Sequence, residues 1–134
     1  MSASSALQKA ILDALQADAT LAGMVGGRIY DVPPGRPRKP YVSLGPTSFF
    51  PERRDCMNSR TETVQIDVWT EDKERRQLCK AICDAVIAVL DQADLSLADP
   101  YALGRCDLLL ARIMDDPDDI TRHGVLQFEC EVTG

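Results

Sequence analysis

A chain of 134 residues with 45% hydrophobic and 27% charged side chains can bury a core of its own and is too apolar to be wholly disordered. Only 5% of the residues are aromatic, too few for a surface that stacks nucleic-acid bases, and no run approaches the ~18 apolar residues of a membrane span. The net charge of −6 is uneven: Arg28 to Arg60 holds seven basic and three acidic side chains, a net +4, which leaves −10 on the rest. That polarity fits either a solvated surface with local bias or two complementary faces for neighbouring subunits.

Met1 to Ser5 has no basic segment and leads into an amphipathic pattern, so it does not read as a signal peptide. Leu7, Ile11, Ala14 and Leu15 recur at helical spacing and predict a helix over 5–17, capped by Ser4 or Ser5. Asp18 opens a shorter helical turn carrying Leu21, Met24 and Val25, which Gly26-Gly27 ends. Arg28 to Tyr30 reads as a brief extended piece. Pro33, Pro34, Pro37 and Pro40 then exclude helix and central strand, leaving a basic extended loop over 33–40.

Tyr41 to Leu44 reads as a strand. Residues 45–59, with Pro46, Pro51 and the pair Phe49-Phe50, read as a second long loop. Residues 61–70 alternate cleanly, Val64, Ile66 and Val68 on one face and Thr63, Gln65, Asp67 and Trp69 on the other. A helix is expected over 71–91, with Glu71, Asp72 and Glu74 at its positive end and Leu78, Ile82, Ala85, Val86, Val89 and Leu90 on its apolar stripe. After a linker over 91–100, strands over 105–114 and 124–133 form an antiparallel hairpin with an acidic tip. The fold class is thus α+β: one domain over 1–134, a mixed, mostly antiparallel sheet of about four strands packed against two main helices.

The residues offer little chemistry. His123 is the only histidine, no nucleophile motif surrounds a Ser or Cys, and it reads as a hydrogen-bonded residue where a loop meets a strand. Asp115, Asp116, Asp118 and Asp119 are rich in oxygen donors but lack the glycine and terminal Glu of a calcium loop. A solvated hairpin tip is the simpler reading. The five cysteines contain no CxxC pair. Cys79 and Cys83, one helical turn and about 6 Å apart, could be spaced for a disulfide or half a metal site, but read as reduced, buried thiols of a cytosolic protein. No enzyme activity, metal or cofactor is expected. Arg36, Arg38 and Lys39 could meet phosphates, and a partner protein suits the proline-stiffened loop at least as well. Phe49, Phe50 and Trp69 are candidate interface anchors, with Arg53 and Arg54 beside them.

Several marks occur in order along the chain. They are Asp18-Ala-Thr-Leu21, the turn Val25-Gly-Gly-Arg28-Ile29-Tyr30, Pro40-Tyr41-Val42, the strand Val64-Gln-Ile-Asp-Val-Trp69 with its long helix, and Asp118-Asp119-Ile120-Thr121-Arg122-His123-Gly124-Val125. With them the chain resembles, over nearly its whole length, the phage-type tail terminator or tail completion proteins of long-tailed phages and gene transfer agents. The resemblance implies a subunit without catalytic residues that forms a ring, commonly a hexamer, on a finished tail tube. Such a ring stops tube growth and meets the head-side connector or stopper protein, leaving a central channel through which DNA passes non-specifically. It implies assembly in the bacterial cytoplasm and a final place at the head–tail junction, with no membrane partner. On this reading the contacts between subunits or to the tube fall on Arg36, Arg38, Lys39, Phe49, Phe50, Arg53, Arg54 and Trp69, and an acidic channel wall includes Asp115, Asp116, Asp118 and Asp119. The alternatives are a sibling neck component, such as a head–tail joining protein, and a small nucleic-acid-binding module using the basic loop.

Overall fold

Helix α1 (Ala3–Ala17) begins at Ser2, whose Oγ accepts a hydrogen bond from the Ser5 amide at 3.1 Å. The cap therefore lies before both expected positions, Ser4 and Ser5, and Ser4 is released for a tertiary bond described below. Asp18 ends α1 and caps α2 (Ala19–Val25), its Oδ2 accepting from the Leu21 amide at 2.9 Å. Gly26, at φ 61°, closes α2 in the left-handed conformation that glycine adopts without strain. The helices bury Leu7, Ile11, Leu15, Leu21 and Val25, the faces marked out by their apolar spacing. The computed structural model describes residues 2–54 and 57–134, with the side chains of Arg53, Arg54 and Met57 outside that description.

Five strands follow: β1 (Ile29–Tyr30), β2 (Tyr41–Arg54), β3 (Met57–Glu71), β4 (Ala102–Asp115) and β5 (Thr121–Thr133). They form one sheet in the order β1-β2-β3-β5-β4, with β1 parallel to β2 and every other pair antiparallel. The brief extended piece at 29–30 thus supplies a fifth strand.

The described residues of the expected loop over 45–59 are instead the outer half of a long hairpin, since β2 and β3 pair from Tyr41↔Trp69 out to Arg54↔Met57. The prolines that argued against a strand are tolerated because β1 covers β2 only at Val42 and Ser43, so beyond them β2 is an edge strand. Gly45 and Pro46 fall in a bulge between Leu44 and Thr47. There the backbone passes so close to β3 that a Cβ on Gly45 would lie 2.6 Å from Asp67 Oδ2.

Helix α3 (Gln77–Leu90) starts six residues later than expected. Glu71 ends β3, and Asp72 closes a turn, its Oδ1 accepting from the amides of Glu74 at 2.9 Å and Arg75 at 3.1 Å. The buried stripe of α3 is Cys79, Ile82, Cys83, Val86 and Leu90, whereas Leu78, expected within it, is exposed. Cysteine behaves here as a small apolar side chain, and the two thiols rotate the stripe by one position.

The expected β4–β5 hairpin is present with longer strands and a shorter tip over 116–120. Cross-strand parity separates the sheet's faces. Val64, Ile66 and Val68 of β3 and Leu126, Phe128, Cys130 and Val132 of β5 join the buried helical stripes in one core. Each such side chain, fully buried, contributes about 1.5–3 kcal/mol. The other face, without helices, carries Trp69, Asp67, Gln65 and their partners on β5 and β4.

Candidate assembly surfaces

The run from Thr121 to Val125 is the most specific of the sequence marks, and each of its first four residues has a structural task. Thr121 Oγ1 donates to Asp118 Oδ2 at 2.7 Å and accepts from Lys39 Nζ at 3.1 Å. Arg122, almost fully buried, donates from Nη2 to the Lys73 carbonyl at 3.2 Å and pairs through Nη1 with Asp115 Oδ1 at 3.1 Å. His123 stacks on Trp69 with ring centroids 3.7 Å apart, and its Nε2 meets Asp67 Oδ1 at 2.8 Å. Gly124 lies over α3, where a Cβ would meet Cys83 Sγ at 2.5 Å and Cys79 Sγ at 3.3 Å. The motif fastens β5 to α3, to the tip of its own hairpin and to the basic loop.

His123 and Trp69 belong to a row of rings across the open face. Trp69 stacks on Tyr41 at 6.2 Å, and Tyr41 meets Tyr30 at 6.1 Å. Trp69 Nε1 donates to Ser43 Oγ at 3.3 Å. Trp69 is therefore half-buried within its own sheet, between neighbours that hold it in place.

The acidic tip is less uniform than its sequence. Asp115 is the last residue of β4 and forms a bidentate pair with Arg76, from Nε to Oδ1 at 2.9 Å and from Nη2 to Oδ2, in addition to its pair with Arg122. These bonds to Arg76, its charge and that of Arg122 hold the Asp115 carboxyl below the usual aspartate range. Asp118 accepts from the hydroxyl and amide of Thr121 and from the amide of Ile120, which lowers it to about 2. Among the described residues no ion pair or hydrogen bond engages the side chains of Asp116 and Asp119. Of the four carboxylates at the tip, Asp116 and Asp119 are thus the two without internal bonds among the described residues.

The basic loop over 33–40 lies outside helix and strand, as expected, and contains a cis Lys39–Pro40 bond. Lys39 donates to Thr121 Oγ1, while Arg36 and Arg38 are exposed and have no partner among the described residues.

The β2–β3 arm carries Phe49 and Phe50 on opposite faces. Phe49, opposite Glu62, lies on the helix side under the Arg60 guanidinium, 3.8 Å from the ring centroid. Phe50, opposite Thr61, lies on the open side and is 74% exposed. Arg53 and Arg54 are in the outer hairpin, with their side chains outside the described part; Asp55 and Cys56 are outside it altogether. Glu62 is fully buried at the arm's root, where Oε2 accepts from Ser4 Oγ at 2.7 Å and Thr47 Oγ1 at 2.9 Å, tying α1 to the arm. Its Oε1 has no hydrogen-bond partner among the described residues. Nothing in the sequence pattern distinguished Glu62 from an ordinary strand glutamate.

The four described cysteines are free and buried. Cys130 Sγ donates to Cys106 Sγ at 3.4 Å across β5 and β4. Cys83 and Cys130 are pushed upward by donating to their neighbours, Cys79 and Cys106, and by burial, so they rest as protonated thiols. No group of three or more His, Cys, Asp or Glu side chains gathers to hold a metal among the described residues. No helix of the described chain is long and apolar enough to cross a membrane.

Comparison with known proteins gives two findings. The model of the family described as tail completion protein gp17 matches residues 9–133. Among solved structures, a chain from the virion of a native gene transfer agent particle is 33% identical, with a TM-score of 0.91 over 99% of this chain and 98% of that one. No match is found among curated protein sequences.

Proposed function

The chain belongs to the tail completion protein gp17 family, structural proteins of the virion tail, and from that premise we propose that it is a ring-forming tail terminator. Its copies, six on the family's common pattern, close a ring on the end of a finished tail tube, stop the addition of tube protein and present a docking surface to the head-side connector. The observation that carries this reading is the end-to-end match, in sequence and fold, to a chain of an assembled gene transfer agent particle.

The fold supports it with two unlike ends. One end of the sheet carries the basic loop, the acidic tip and the bonded cluster from Thr121 to Gly124. The other carries the arm, with Phe49 and Phe50, and the C-terminal end of β5. A ring of such subunits has two different faces, so one can match the tube end while the other refuses a further tube ring. Asp116 and Asp119 near the channel would repel DNA phosphates and keep passage non-specific. The subunit acts by geometry and not by catalysis: His123, the only imidazole, is held by Asp67 and covered on one side by Trp69.

The test is to delete the gene from a strain that makes the particles and image the products. Overlong tails or tails unjoined to heads are expected, with both defects corrected by returning the gene. Particles with joined tails of normal length would refute the proposal.

A further inference from the structure

Cys106 on β4 and Cys130 on β5 are register partners, both within the core on the helix side of the sheet, with Sγ atoms 3.4 Å apart. The backbone fixes how close they stand. The Cys106 carbonyl accepts from the Gln92 amide at 2.6 Å, and two residues on, the Leu108 amide donates to Asp91 Oδ1 at 2.9 Å. Both residues thus turn their backbone polar groups away from β5. An antiparallel residue that does so belongs to a non-hydrogen-bonded pair, whose Cα atoms lie about 4.5 Å apart with the side chains at their closest. That spacing falls within the ~4.4–6.8 Å that disulfides span. A bond needs the sulfurs nearer by about 1.4 Å, a movement that side-chain torsion supplies.

The other described pair, Cys79 and Cys83, is arranged differently. One turn of α3 sets its Cβ atoms about 5–6 Å apart, beyond the ~3.5–4.5 Å of a disulfide, and both sulfurs lie against Gly124. Access and acidity single out Cys106. With Gln92, Ala93 and Asp94 it lines a surface cavity of about 320 Å³, whereas Cys130 is fully buried. The segment 91–101 beside that cavity forms neither helix nor strand, the kind of cover that opens locally. The hydrogen bond from Cys130 holds the Cys106 thiol below the usual cysteine range, and the thiolate is the form that oxidises. The chain also changes surroundings. It belongs to a family of virion tail proteins, and a virion subunit is made where thiols stay reduced, then carried to where disulfides persist.

We propose that Cys106 and Cys130 form a modification site, two thiols that a peroxide joins into a disulfide after the particle leaves the cell. The Cys106 thiolate attacks one oxygen of hydrogen peroxide. The O–O bond breaks, the departing hydroxide takes up the thiol's proton as water, and Cys106 becomes a sulfenic acid. Cys130 Sγ then attacks Cys106 Sγ, the S–O bond breaks, and the Cys130 proton leaves with the hydroxyl as a second water. Two thiols lose two electrons and two protons, and one peroxide becomes two waters. The link ties the start of β4 to the C-terminal part of β5 and closes a loop over the whole hairpin, which holds the subunit against unfolding. The inference rests on membership of the virion and not on the ring reading.

Peptide mapping of the full chain tests it, after equimolar hydrogen peroxide, removal of the excess by catalase and alkylation in denaturant. The expected product is a Cys106–Cys130 linked peptide, lighter by two hydrogens than its parts and abolished by a reductant, with Cys79 and Cys83 alkylated. In Cys130→Ala the link should be lost, and Cys106 should take up dimedone, a trap for sulfenic acid. Should Cys130→Ala fail to fold, the map of the parent chain decides alone. Released particles collected into alkylating agent should contain the linked peptide, whereas chain taken from cells before release should have both thiols alkylated. Alkylation of both Cys106 and Cys130 in the oxidised chain, a link from Cys106 to any other cysteine, or reduced thiols in released particles would each overturn the proposal. None of these results touches what happens at the tube end, so the terminator reading stands or falls separately.

Discussion

At the residue scale, Gly124 shows how a motif can be conspicuous for structural reasons alone. The absence of a side chain lets β5 lie against Cys83 and Cys79 of α3, and a methyl group would have to displace a buried sulfur. Gly124→Ala is therefore expected to destabilise the fold by about 1–3 kcal/mol through overpacking, read as a lowered midpoint in urea. Asp118 supplies a pH test. Its carboxyl is held at about 2 by the hydroxyl and amide of Thr121 and by the Ile120 amide, below the ~3.9 of an unfolded aspartate. The folded state thus favours the ionised form, and the stabilisation is complete above the unfolded value and lost as pH falls through about 2. Asp118→Asn should be less stable than the parent at pH 7, and the gap should close near pH 2. A gap independent of pH would show that the carboxylate's charge is immaterial.

At the scale of elements, periodicity revealed those whose burial is regular. The alternation of β3 and β5 and the spacing in α1 set the correct faces because those elements pack one side on a single core. The misreadings have local causes. Prolines in residues 45–54 suggested a loop, since a sequence does not say which strand will lie at an edge. Acidic residues at 71–74 suggested a helix start, but Asp72 uses its carboxylate to close a turn, and α3 begins at Gln77 without a side-chain cap. Of the candidate contacts, Phe50, Arg36 and Arg38 are exposed, whereas the stacking of Trp69 and the internal bonds of Asp115 and Asp118 depend on cross-strand register, which no local pattern encodes. Asp18 was legible as the start of α2, and it also terminates α1. Asp18→Ala should cost about 1 kcal/mol through loss of that cap, measured by thermal unfolding, whereas Asp13→Ala on the exposed face of α1 should cost well under half as much.

At the scale of the whole molecule, the basic loop and the acidic tip of the sequence are brought together, Lys39 donating to Thr121. Both lie at one end of the sheet. The family match places the chain among tail proteins of the virion; the step from tail protein to terminator concerns what happens at the tube end. The most direct test adds purified chain to polymerising tail-tube protein and measures tube lengths by electron microscopy. If the chain caps the tube, lengths should shorten as its concentration rises, with a ring of this chain on one end of each stopped tube. Tubes that grow to the same length with bare ends at every concentration would contradict that role.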